Sequence, residues 1–140
     1  MPAYILDTNH VGSAVDRASS VGQRIFEARL GRVRVGTCLP VLCEIEAGIR
    51  QVRNQAKYRR DLNHLLRQLR LWPIDGKTAR LYGDIYSELS RRGRILSQVD
   101  IMVAALARQM KLIILTTDRD WQSWISSSKG QTPWKRSAKE

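Results

Sequence analysis

The chain has 140 residues, of which 43% are hydrophobic and 26% charged. That is the balance of an ordinary globular domain; it excludes a disordered, collagen-like or disulfide-stapled polypeptide and leaves room for one core. There are 24 Lys and Arg against 13 Asp and Glu, a formal net charge of +11, so the composition suggests a polyanionic partner, although surplus arginine can also be simply a solvated face.

The elements follow in order. Ala3, Tyr4, Ile5 and Leu6 make a short apolar run broken by Asp7, Thr8 and Asn9, which predicts a buried strand ending in a turn or loop, with Asp7 at its carboxyl end. A helix is expected over 21–30 and an alternating, β-branched strand over 33–37. Pro40 suits the first turn of a helix running from 39 to about 53 and carrying Glu44 and Glu46. A second helix over 58–71 has Leu62, Leu65, Leu66 and Leu69 on one face, so the two form a hairpin arm. Residues 71–74 read as an edge strand because of Pro73, and 77–92 as a helix stopped at Gly93. Ser97 reads as the cap of a helix reaching Met110, with Asp100 in its first turn. A short buried strand over 112–115 then turns off through Thr116, Thr117, Asp118, Arg119, Asp120 and Trp121. The tail from Ser126 is expected to be partly loose. Strands interleaved with helices predict a single α/β domain over 1–140, a mostly parallel central sheet flanked by helices.

Cys38 and Cys43 lie in an apolar stretch without metal-ligand spacing and read as buried, reduced thiols. The longest apolar run, 101–107, is too short to cross a bilayer, and Asp7 interrupts any export signal; a cytoplasmic protein without membrane attachment is expected. Arg50, Arg53, Lys57, Arg59, Arg60, Arg67 and Arg70 follow helical spacing in part and predict a basic ridge able to attract phosphates.

Four acids stand out in so basic a chain: Asp7, Glu44, Asp100 and Asp118. Glu44 has Pro40, Val41, Ala47 and Gly48 as helical neighbours, a core-like face that points it into a cleft, the alternative being a surface glutamate, whereas Glu46 lies round the helix and reads as solvated or salt-bridged. Singly, Asp7 can form an Asx turn, Asp100 can favour the helix dipole and Asp118 can cap a helix. Together they fall where strand ends and helix starts of a parallel sheet converge. Carboxylates held that close repel unless a cation neutralises them, and oxygen ligands select Mg²⁺ or Mn²⁺ over Zn²⁺. Such a site beside a basic surface points to phosphodiester chemistry. His64 reads as a surface or core residue, and His10 reaches the site only as the neighbour of Asn9.

Leu6-Asp7-Thr8-Asn9, Glu44-Ile45-Glu46-Ala47-Gly48, Asp100 to Ala107 and Thr116-Thr117-Asp118-Arg119-Asp120-Trp121 together resemble the PIN-domain ribonucleases, nearest to the VapC-like toxins of toxin–antitoxin pairs. The resemblance spans nearly the whole chain and implies the three-layer PIN-like fold. It implies a Mg²⁺-dependent endoribonuclease, Mn²⁺ being a substitute, that hydrolyses RNA with a metal-activated water. Asp7 and Asp100 would hold the metal, and Glu44 and Asp118 would complete the catalytic pocket. Asn9, Thr116 and Asp120 would orient these ligands, and Arg50, Arg53 and Arg119 would contact RNA. An antitoxin partner and a homodimer are implied too. His10-Val11-Gly12, where an apolar pair followed by Ser is usual, Trp121 in place of Phe, and the poorly marked last strand at 133–135 depart from the pattern. Two other readings exist. A haloacid-dehalogenase-like phosphatase would need an aspartate where Asn9 stands, and a non-catalytic basic RNA- or DNA-binding module leaves the four acids unexplained.

Overall fold

Ala3–Leu6 form β1, the middle strand of a five-stranded sheet in the computed structural model, which describes residues 3–116 and 134–136. Helices α1 (Thr8–Ala14) and α2 (Ser20–Leu30) lead to β2 (Arg34–Cys38), and α3 (Leu39–Ile49) and α4 (Gln55–Leu66) lead to β3 (Arg70–Trp72). Then α5 (Gly76–Arg91) and α6 (Gln98–Met110) lead to β4 (Ile113–Thr116), and β5 (Trp134–Arg136) closes the sheet. The strand order is β3-β2-β1-β4-β5, and every pairing is parallel. The α/β architecture and the parallel sheet expected from the sequence are therefore present.

The order carries the functional consequence. From β1 the chain steps outward through β2 to β3, then jumps back to lay β4 on the other side of β1. At such a reversal the connections leave in opposite directions from two neighbouring strands and open a crevice at their carboxyl ends. Leu6 pairs with Leu115 across that junction, so the next residues along, Asp7 and Thr116, stand at the crevice.

Burial accounts for the strands. Ile5, Leu6 and Ile114 are fully buried, as expected of parallel strands covered on both faces. From one side α3 contributes Val41, Ile45 and Ile49. In α6 the stretch Val103, Ala104, Ala105, Leu106 and Ala107 is buried throughout, its alanines letting neighbours approach closely. Each large side chain buried this way contributes about 1.5–3 kcal/mol. Gly36 in β2 is needed for space: a Cβ there would collide with the Arg70 carbonyl and the Trp72 ring of β3.

Several expected boundaries move. Thr8–Ala14 is a helix, not a loop, because the Asp7 carboxylate caps it by accepting from the His10 N–H. The long helix expected to about residue 53 ends at Ile49, and α4 runs Gln55–Leu66 instead of 58–71, started by Asn54, whose side chain accepts from Lys57 N–H at 3.0 Å. Leucines at 65 and 66 therefore belong to the helix, while Leu69 lies beyond it in the approach to β3. Lys111 takes the left-handed conformation (φ 56°) that ends α6, two residues before β4. Trp134–Arg136, within the segment expected to be partly loose, pairs with β4 in the register Ile114 to Trp134.

Candidate active site

Each acid is positioned by the element that carries it. Asp7 follows β1 directly and is only 3% exposed. Its Oδ1 accepts two hydrogen bonds from one residue: the His10 backbone N–H at 2.9 Å and the His10 ring Nδ1 at 3.0 Å. The ordinary capping role and a site role are thus compatible, because the cap uses Oδ1. The strand end itself is anchored from β2, where buried Thr37 Oγ1 donates to the Leu6 carbonyl at 3.0 Å.

Glu44 lies in α3, which starts directly after β2 and so begins at the same carboxyl edge. Its Oε1 accepts a 2.6 Å hydrogen bond from Thr8 Oγ1, placing the Glu44 carboxylate beside the residue that follows Asp7. The core-like face expected for Glu44 is corrected: Pro40 and Val41 are buried, but Ala47, Gly48 and Glu44 itself are exposed. Glu44 occupies an open rim. Glu46 is salt-bridged, as one of its expected fates had it, through both carboxylate oxygens to Arg59 at 2.5 and 2.6 Å, and the Arg59 guanidinium holds its carboxyl below the usual range.

Asp100 is the third residue of α6, half-buried, and its N–H donates to Ser97 Oγ at 3.1 Å. Since α6 packs on β4 and enters it through a two-residue turn, it runs antiparallel to the strands, and its first turn lies at their carboxyl edge. Topology therefore gathers Asp7, Glu44 and Asp100 on one edge. Asn9 is exposed in the first turn of α1, and Thr116 ends β4. Asp118, Arg119 and Asp120 lie outside the described residues. Among the described residues no three His, Cys, Asp or Glu side chains form a ready metal cage.

The donor set still suits a divalent cation. A carboxylate buried at a strand end, a second reached through Thr8, and a third in a helix's first turn are all hard oxygen donors. Mg²⁺ in particular is commonly held by one or two carboxylates, with water and substrate oxygens filling its shell.

The basic surface is partly neutralised. Lys57 pairs with Asp61 at 3.0 Å and Arg59 with Glu46, whereas Arg50, Arg53, Arg60, Arg67 and Arg70 are exposed. A groove of about 380 Å³ is lined by Arg17, Lys57, Arg60, His64 and Arg67 among others. His64 is a surface residue. Of the thiols, Cys38 is buried as expected, which pushes it up to about 11, but Cys43 is exposed because it lies on the outer side of α3.

Sequence reasoning gives Thr8 no role of its own and admits His10 only as the neighbour of Asn9, whereas the structure ties Thr8 to Glu44 and His10 to Asp7. The signal for His10 was present: an aspartate after a strand with a residue three positions on is the spacing of an N-cap and its partner. Thr8 gave no such signal, since its partner is 36 residues away.

A parallel α/β sheet with Asp7 at its reversal point defines the class, and the comparisons agree with it. The PIN domain family model matches residues 4–124, and the chain belongs to the PIN domain family, a family of nucleases. Among solved structures, a chain of VapBC2 from Rickettsia felis, bound to a DNA fragment from the promoter, superposes with a TM-score of 0.81 at 19% identity, over 97% of this chain and 99% of that one. DNA-bound VapBC from Salmonella typhimurium gives 0.80 at 19% identity, over 97% and 98%. FitAcB from Neisseria gonorrhoeae gives 0.69 at 21% identity, over 94% and 95%. No curated protein matches by sequence. Among the described residues no helix is long and apolar enough to cross a membrane.

Proposed function

We propose that this protein is a metal-dependent endoribonuclease and the toxin of a toxin–antitoxin pair, cytoplasmic and homodimeric. The observation that carries the reading is Asp7 at the reversal point of the sheet, with Glu44 of α3 reached on the same carboxyl edge through the Thr8 hydrogen bond and the first turn of α6 and its Asp100 on that edge too.

Asp7 and Asp100 would hold the cation, Mg²⁺ or Mn²⁺, with Glu44 and Asp118 completing the acidic edge. A bound ion of this kind polarises a phosphoryl oxygen, lowers the pKa of a coordinated water and stabilises the leaving oxygen. The protein's own part is positional. The helix cap and the His10 ring fix the Asp7 carboxylate, Thr8 holds Glu44, and Asn9, Thr116 and Asp120 would orient the ligands. The open rim at Glu44 leaves a phosphodiester room to approach. Arg50, Arg53 and Arg119, together with the basic groove, supply the salt-sensitive attraction that draws RNA to the edge. An antitoxin partner is supported by those structural neighbours that are VapBC structures, one of them described as a member of the VapBC family of toxin–antitoxin systems.

The test is incubation of the purified chain with total cellular RNA in Mg²⁺ or Mn²⁺, with and without EDTA. Discrete fragments that appear only with free metal are expected. Intact RNA after incubation with folded protein in metal overturns the reading, and RNA held but uncut in EDTA and in metal alike would favour a binding module.

A further inference from the structure

His10 is 3% exposed, in the first turn of α1 and in direct contact with Asp7. Burying an imidazole costs free energy unless its polar atoms are hydrogen-bonded, and here the ring spends Nδ1 on Asp7 Oδ1 at 3.0 Å. A carboxylate oxygen only accepts, so Nδ1 carries the hydrogen. The helix cap does not need this bond, since the His10 backbone N–H already donates to the same oxygen at 2.9 Å. What the ring adds is direction. Two donors converging on Oδ1 direct the carboxylate, and with Oδ1 accepting both bonds it cannot offer both oxygens to a cation without giving them up. That restriction separates cations. Ca²⁺ takes carboxylates through one or two oxygens in a flexible shell, whereas Mg²⁺ requires a near-octahedral shell of single oxygens.

We propose that His10 is a positioning residue that pins Asp7 for ligation through a single oxygen and so makes the acidic edge favour Mg²⁺ and Mn²⁺ over Ca²⁺. The inference rests on the reading of that edge as a cation site.

The experiment titrates the full chain with Mn²⁺, read by electron paramagnetic resonance of the free ion, with Mg²⁺ and Ca²⁺ as competitors. Wild type is compared with Asp7→Asn, His10→Val and His10→Asn, and folding is followed by thermal melting. Val removes the ring donor; the Asn amide can place its nitrogen where Nδ1 was. His10→Val should lose about 10-fold or more in Mg²⁺ affinity with a smaller loss for Ca²⁺, so that the preference narrows, and His10→Asn should restore most of it. An unchanged Mg²⁺ to Ca²⁺ ratio in His10→Val overturns the proposal even if the melting temperature falls, since that pattern marks a packing role alone. Failure of His10→Asn to restore the ratio overturns it as well. If His10→Val does not fold, His10→Gln, whose longer side chain carries its amide away from the Nδ1 position, replaces it with the same outcomes. Should wild type bind no Mn²⁺, or bind it no better than Asp7→Asn, the cation site itself is wrong and the inference falls with it.

Discussion

Thr8 Oγ1 donates a 2.6 Å hydrogen bond to Glu44 Oε1, joining the first helix after β1 to the first helix after β2. The two segments are 36 residues apart in sequence but meet because both helices start at the same edge of a parallel sheet. The bond holds a flexible glutamate at an otherwise open rim. Thr8→Val keeps the shape and removes the donor. The expected cost in stability is small, about 1 kcal/mol or less at so exposed a site, while RNA cleavage should fall about 10-fold, as when a group that orients a metal ligand is lost. Single-turnover cleavage beside a thermal melt separates the two, and wild-type cleavage by Thr8→Val would remove Glu44 from the site.

Ser97 caps α6 by accepting from the Asp100 N–H at 3.1 Å, so the cap and the acid share one turn. Ser97→Ala should destabilise the protein by about 1 kcal/mol and also weaken cation binding, because the turn carrying Asp100 frays. Ser97→Asp, another good cap, should recover the stability. Urea denaturation midpoints measure this; an Ala variant as stable as wild type would show that the cap contributes nothing.

Glu46 and Arg59 make a two-pronged surface pair between α3 and α4. The hydrogen bond from Arg59, more than any other influence, lowers the Glu46 pKa. A lowered folded-state value means that the stabilisation is present above the unfolded carboxyl pKa of about 4.3 and is lost as pH falls through the folded value. The melting temperature of wild type should therefore exceed that of Glu46→Gln near neutral pH, and the gap should close under acid below that range and in high salt. A gap that persists in acid would mean that the pair acts through shape and not charge.

Much of this arrangement is legible in the sequence because it follows from local chemistry. The apolar run Leu112 to Leu115 marks a strand, present as Ile113–Thr116 with Ile114 buried, and Ser97 with Asp100 announces a helix start. Asp7 was placed at a strand end for the same reason. The errors have physical causes too. Asp7, Thr8 and Asn9 read as a turn because turn formers and helix caps are the same residue types, and the burial of Val11 and Ala14 is what makes Asp7 a cap here. Glu44 reads as lying on a core-like face because small residues at 47 and 48 count as apolar, although their exposure depends on which neighbours the fold provides. Cys43 failed likewise. The bonds from Thr8 to Glu44 and from Thr78 Oγ1 to Gln109 at 2.6 Å are tertiary, and no local pattern encodes them.

Replacing Asp7 and Asp100 singly by Asn tests most directly whether acids from separate segments act as one cation site cutting RNA. Asn at position 7 can still cap α1, so each variant should melt within about 1 kcal/mol of wild type yet leave no discrete RNA fragments in Mg²⁺ or Mn²⁺. Cleavage at the wild-type rate by either folded variant would contradict the account.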